Sequence, residues 1–224
     1  MTEIWINEEK ITEEFLKENG RHMKIIGKVK ALYYIGDFAE GNHIDLNRSY
    51  LLEFLRKQNI FPLYFTFVYF LDDAEETISG LVDNNIPYSL SYLEETNTYY
   101  DLTGKHKYHP PCFSIEATDC RSVELVLNLT YWLAAQNEFY SISTAPNLSF
   151  QLVEVKEWGR IGKHSAAVYA ADACITFITI DQDGRGFYLY SNDDKYRSVE
   201  NLMENLPSGT TITQINDTLL NRII

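Results

Sequence analysis

Apolar residues recur along this chain with two different periods, and the switches between them mark the predicted elements. Asn7 reads as the cap of a first helix carrying Ile11, Phe15 and Leu16 on one face, with Gly20 as its stop. Residues 23–34 alternate as a strand or two and run into the turn-rich Gly36-Asp37 and Glu40-Gly41-Asn42. After Asp45, the spacing of Tyr50, Leu51, Phe54 and Leu55 predicts a second amphipathic helix. Leu63 to Leu71 is apolar or aromatic at nearly every position, the pattern of a strand covered on both faces. Asp73 with Glu76 then forms a capping-box-like pair ahead of a helix whose stripe is Ile78, Leu81 and Val82. Asn84-Asn85 and Pro87 end that helix, and Tyr88, Leu90 and Tyr92 alternate with serines as a half-buried strand.

The same order repeats downstream. Phe113, Ile115 and Ala117 alternate with polar residues, and Asp119 caps a long helix from Cys120 to Ala135. That helix is apolar around most of its circumference: Leu125, Leu129 and Trp132 lie beside or behind the face formed by Val123, Val126, Leu127, Leu133 and Ala134. A second layer must cover them, and the C-terminal third is the predicted cover. Strands dominate beyond Leu148: 149–155, 165–170, 174–180 and 187–190, the last two flanking the hairpin signal Asp181-Gln-Asp-Gly-Arg-Gly186. A short helix after Ser198, a strand at 210–213 and a closing helix capped by Asn216 complete the reading.

The order β-α-β-β-α-β over 61–144 resembles the ferredoxin-like folds, a resemblance that implies an architecture and no catalytic residue. The fold class expected is therefore α+β: a central ferredoxin-like β-α-β-β-α-β unit fused to a C-terminal antiparallel β-rich half. Three segments follow. Residues 1–60 supply a helix, strands and a helix packing on the core, 61–145 form the βαββαβ unit, and 146–224 carry antiparallel strands with two short helices.

Charge changes the picture more than composition does. The net charge of −13 argues against direct nucleic-acid binding and against anionic membrane surfaces. No lysine or arginine occurs between Lys57 and Lys105, while Asp72, Asp73, Glu75, Glu76, Asp83, Glu94, Glu95 and Asp101 all do. The 16 tyrosines and 12 phenylalanines point to an aromatic, sheet-rich core, with Tyr99 and Tyr100 inside the acidic segment. Three cysteines are too few for a disulfide framework. Neither a secretory leader nor a membrane-length apolar run is visible, so a cytoplasmic location is expected.

No constellation for catalysis emerges. His106, His109, Cys112 and Cys120 match no zinc spacing, and a strand between the two cysteines holds them apart, so no metal is assigned. Asp181 to Gly186 has a glycine at the sixth position of a calcium loop, but Arg185 stands at the fifth, and strands flank it. Gly159-Arg-Ile-Gly162-Lys163-His164-Ser165 lacks phosphate-loop spacing, yet Lys156, Arg160, Lys163 and His164 make the one basic island, with Trp158 inside it. The function expected is a non-enzymatic binding protein of immunity, antitoxin or inhibitor type, without cofactor. Its acidic, aromatic-containing segment (Asp72 to Asp101 with Tyr99 and Tyr100) would engage a basic partner protein. The alternative is a small-molecule or nucleotide binder, and possible enzyme, whose anion site is the Lys156–Ser165 turn.

Overall fold

A computed structural model of the chain describes residues 2–18, 23–36, 42–69, 74–157, 159–171 and 175–224. The Gly20 stop, the turn residues Asp37, Glu40 and Gly41, the strand end at Leu71, Asp72, the Asp73 cap, Trp158 and Cys174 lie outside these residues.

The chain opens with a strand, not a helix. In β1 (Thr2–Glu8), Ile4 and Ile6 are buried and alternate with more exposed neighbours, and Asn7 belongs to this strand. The helix expected after Asn7 begins later, as α1 (Glu13–Glu18), where the Thr12 hydroxyl accepts the Phe15 N–H at 3.0 Å. Next come β2 (Lys24–Gly27), β3 (Ala31–Gly36) and α2 (His43–Gln58). Asn59, in the left-handed conformation at φ 50°, ends α2.

Strand β4 (Leu63–Val68) and helix α3 (Glu75–Asp83) precede β5 (Tyr88–Tyr92). Strands β6 (Asn97–Asp101) and β7 (Gly104–Tyr108) lead to β8 (Pro111–Ala117). Helix α4 (Cys120–Ala135) starts as its sequence dictates. The Asp119 carboxylate accepts the Ser122 N–H at 2.7 Å, and the Ser122 hydroxyl lies 3.1 Å from the Asp119 N–H, a complete capping box. Then follow β9 (Tyr140–Ser143), β10 (Leu148–Glu157), β11 (Arg160–Ala171), β12 (Thr176–Ile180), β13 (Gly186–Ser191), α5 (Val199–Glu204) and β14 (Thr210–Ile215).

The chain closes on β15 (Thr218–Ile223), where the sequence predicts a helix. Asn216 sits at φ 52°, the conformation of a tight hairpin turn rather than a helix cap, and Gln214 pairs with Leu219 across it. The Asn216 side chain accepts the Glu8 N–H at 2.8 Å, tying the turn to β1.

Ten strands form one mixed sheet in the order β15-β14-β1-β3-β13-β12-β9-β4-β8-β5. All three sequence segments contribute strands to it; within 146–224 the pairs β10–β11, β12–β13 and β14–β15 are antiparallel, and the parallel pairs, β1 with β14 and β2 with β11, join that segment to the N-terminal one. Helices α2, α3, α4 and α5 cover one face over a core that includes Phe54, Phe65, Phe67, Phe113, Tyr131 and Leu202. The cover of α4 is shared: the turn at 182–184, in the C-terminal third, packs on it as expected, with Tyr131 beside Gly184, and helices α2 and α3 pack on it as well, with Leu129 against Gly80.

On the other face, a three-stranded sheet (β10-β11-β2) and α1 lie over β3, β13 and β12. Aromatic stacking joins these layers: Tyr169 on β11 stacks on Phe177 at 4.0 Å and 10°, and Phe177 on Tyr190 at 4.5 Å and 8°. The second layer leaves the β4, β8 and β5 end of that face bearing Thr66, Ser114, Glu116, Ser89 and Ser91.

Candidate functional site

Among the described residues, strands β6 and β7 pair only with each other, as a hairpin outside the ten-stranded sheet. The turn Asp101-Leu-Thr-Gly104 joins the two strands. The Asp101 carboxylate accepts the Thr103 N–H at 2.7 Å, the Thr103 hydroxyl at 2.7 Å and the Gly104 N–H at 3.2 Å, while Gly104 takes φ +129°. These bonds from Thr103, with His106 Nε2 at 3.0 Å, hold the Asp101 carboxyl below the usual carboxylate range. Tyr99 stacks on His106 at 5.1 Å, and Tyr108 closes the base of the hairpin, buried.

Apolar surface is exposed here. Leu102 at the tip is fully exposed, Tyr100 is 73% exposed, and Tyr92, just before the hairpin, is 58% exposed. Large apolar side chains exposed to water are a feature that marks interaction surfaces.

The acids predicted to form the docking segment are distributed around this region rather than gathered on one face. Glu75 and Glu76 stand in the first turn of α3, at the positive end of its dipole. Asp83 is at the opposite end of the same helix, and Glu94 is exposed on the link between β5 and β6. Glu95 turns inward, its carboxylate accepting the Ser165 N–H of β11, and Asp101 is occupied by its own turn. Tyr99 is engaged within the hairpin, so Tyr100, Glu94 and the α3 acids Glu75, Glu76 and Asp83 face outward among the described candidates.

The basic island is not a turn but two strands of a long hairpin, and the ladder splits its members. Lys156 pairs with Ile161 and Lys163 with Glu154, which places both lysines on one face with Glu154 between them. His164 pairs with Val153 on the other face, and Arg160 pairs with Glu157. Lys156, Lys163 and His164 therefore do not converge on one anion, and the Arg160 side chain lies outside the described residues.

His106 contacts Asp101 and Thr103, whereas His109 Nδ1 lies 3.0 Å from Leu93 O and 2.8 Å from Glu95 O. Both contacts of His109 are carbonyls, so Nδ1 carries the proton. Cys112 is buried and its thiol is pushed up to about 12 by burial, while Cys120 opens α4 at the far end of β8. Among the described residues, no cluster of three or more His, Cys, Asp or Glu side chains has metal-site geometry.

One cluster escaped the sequence reading. Asp181, just past β12, accepts hydrogen bonds from the hydroxyls of Tyr34 and Tyr188, which are cross-strand partners on β3 and β13. Burial raises the Asp181 carboxyl, against the lowering influence of the Gln182 N–H, the two tyrosines and Arg185. Burial likewise raises both phenols. Its signal was Tyr34 in the run Ala31–Gly36 and Tyr188 in the run Gly186–Ser191, meaningful only once their register is known.

An open cleft of about 860 Å³ between α2 and the start of β14 is lined by Tyr50, Glu53, Arg56, Lys57 and Thr210, among others. Its cations are committed: Arg56 pairs with Glu53 at 2.6 Å and Glu124 at 2.8 Å, and Lys57 donates to the Leu206 and Glu204 carbonyls at 2.5 and 3.0 Å. No helix among the described residues is long and apolar enough to cross a membrane. No family model, curated protein or solved structure matches the chain.

Proposed function

We propose that this protein is a binding module that engages a basic partner protein through the β6–β7 hairpin and the acids around it. The observation that carries this reading is the exposure of Leu102 and Tyr100 on an element that the ten-stranded sheet does not need for its own pairing, with Tyr92 exposed at the end of β5 just before it. Aromatic and aliphatic anchors of this kind supply most of the affinity at protein interfaces, while surrounding charge governs encounter rate and partner choice. A net charge of −13 and a segment without cations from 58 to 104 favour a partner of opposite sign. An immunity protein, antitoxin or enzyme inhibitor would act in this way, by covering a basic surface.

The same reading takes 61–145 as a ferredoxin-like unit with the β6–β7 hairpin inserted. The sheet order β9-β4-β8-β5, with every neighbouring pair antiparallel, supports it.

The test uses immobilised wild-type protein and the double variant Tyr100→Ala, Leu102→Ser side by side. A basic protein retained by the wild type, lost from the variant and eluted by moderate salt is the expected result. Equal retention by both would overturn the assignment to the hairpin, and retention of acidic proteins would overturn the choice of partner.

A further inference from the structure

The ten-stranded sheet has two edges, and they are built differently. At one end, β15 is interrupted by a register shift against β14 between Ile212 and Gln214 and carries Arg222. Bulges and charges of this kind blunt an edge against further pairing. At the other end, β5 (Tyr-Ser-Leu-Ser-Tyr) has no charged residue and no proline, and its register with β8 is unbroken from Tyr88↔Ile115 to Tyr92↔Pro111.

The ladder also says which backbone groups point outward. Leu93 N–H donates to Pro110 O at 3.0 Å, one step beyond the Tyr92↔Pro111 pair. Hydrogen-bonded and non-bonded pairs alternate in an antiparallel ladder, so Ser91 and Ser89 bond inward to β8. Pro111 falls at a position not bonded to β5, and its carbonyl accepts the Tyr69 N–H at 2.9 Å on the β4 side instead. The N–H and C=O groups of Tyr88, Leu90 and Tyr92 therefore point away from β8. Among the described residues no strand pairs with that side.

From this edge we infer that β5 is a strand-addition site for an extended, lysine- or arginine-bearing segment of the partner, which continues the sheet beyond β5. The inference rests on the proposed partner-binding function and gives the form of the bound segment. Charge selects the occupant. Asp83 and Glu116 line a hollow with Pro87 at the Tyr88 end, with Arg121 the cation there, and Glu94 stands exposed two residues past Tyr92. Glu76 lies two helical turns before Asp83 on the same side of α3. A second copy of this chain would bring the same carboxylates against these, and like charges oppose it. Main-chain bonds to Leu90 and Tyr92 would supply affinity, alternate side chains of the segment would lie on Tyr92 and near Ser89 and Ser91, and cations would meet the flanking acids.

The test titrates the whole protein with a short, end-capped peptide alternating lysine and valine. The matched probe has the same sequence with alternate backbone nitrogens methylated, which keeps the charge and removes the strand-pairing donors. The expected result is binding of the first peptide, weakened about tenfold or more by methylation. Hydrogen exchange at the Leu90 and Tyr92 amides should slow about tenfold or more in the complex, and Leu90→Pro should abolish the interaction. Absence of binding, equal binding of the methylated peptide, or unchanged exchange at those amides would overturn the inference. The exchange readout does not depend on the folding of the Leu90→Pro variant. A dimer by light scattering with the same amides protected would also overturn it, since the occupant would be a second copy. A partner lost with Tyr100→Ala, Leu102→Ser but leaving the β5 amides unprotected would refute strand addition and leave the hairpin reading standing.

Discussion

Tyr169 offers the sharpest test of how the two layers are joined. Its side chain is buried between the three-stranded sheet and the ten-stranded one, its ring stacks on Phe177 at 4.0 Å, and its hydroxyl donates to Ser141 Oγ at 2.6 Å. Tyr169→Phe keeps the stack and removes the donor, leaving the buried Ser141 hydroxyl without this partner, at a cost of about 1–3 kcal/mol. Tyr169→Ala also removes the ring, and deleting a buried aromatic side chain costs about 3–5 kcal/mol. The double variant Tyr169→Phe, Ser141→Ala removes both polar partners and should recover much of the loss of the first substitution. Urea denaturation reads all three as shifts in midpoint at constant slope. The reasoning is refuted if Tyr169→Phe lies within about 0.5 kcal/mol of wild type and Tyr169→Ala within about 1 kcal/mol, the range of surface substitutions. A changed slope would show instead that the three-stranded layer unfolds separately from the sheet beneath it.

Three further outcomes follow from the geometry. Asp119→Ala removes the capping box of α4 and lowers the melting temperature at neutral pH. Hydrogen bonds from Ser122 depress the folded carboxyl, so its contribution is present above the unfolded value and disappears as pH falls, and the gap from wild type should close in acid. Asp181→Asn has the opposite pH signature. Burial raises the folded carboxyl of Asp181, so ionisation costs stability as pH rises through the folded value, and the variant should gain on wild type from acid toward neutral in a melting series. Tyr100→Ala and Leu102→Ser should each leave the urea midpoint within about 0.5 kcal/mol of wild type, because both side chains are exposed.

What was legible in the chain was what local chemistry decides. The Asp119 cap needs only Ser122 beside it, and the 181–186 hairpin needs only its turn and two flanking strands. The failures lie where a distant partner decides. Ile4 and Ile6 become a strand because β14 and β3 lie on either side, and β14 comes more than 200 residues later. Thr218 to Ile223 has a helix-compatible composition, but the turn at Asn216 delivers it to β14.

Charge was misleading for the same reason. Glu95 and Asp101 belong to the one acidic stretch of the sequence, yet one accepts an amide from β11 and the other closes its own turn. The basic residues at 156–164 are close in the chain, and the two-residue period of β10 and β11 sends Lys156 and Lys163 to one face and His164 to the other. Tyr34, Tyr188 and Asp181 are far apart in sequence and meet only through the β3–β13 register.

The most direct test of the hairpin as a docking element is a calorimetric titration of the captured basic partner against wild type and the Tyr100→Ala, Leu102→Ser variant. Loss of two exposed anchors at an interface centre should weaken binding by about 2 kcal/mol or more, roughly thirtyfold. Equal affinities, with both proteins folded to the same urea midpoint, would contradict the assignment of the β6–β7 hairpin as the docking element.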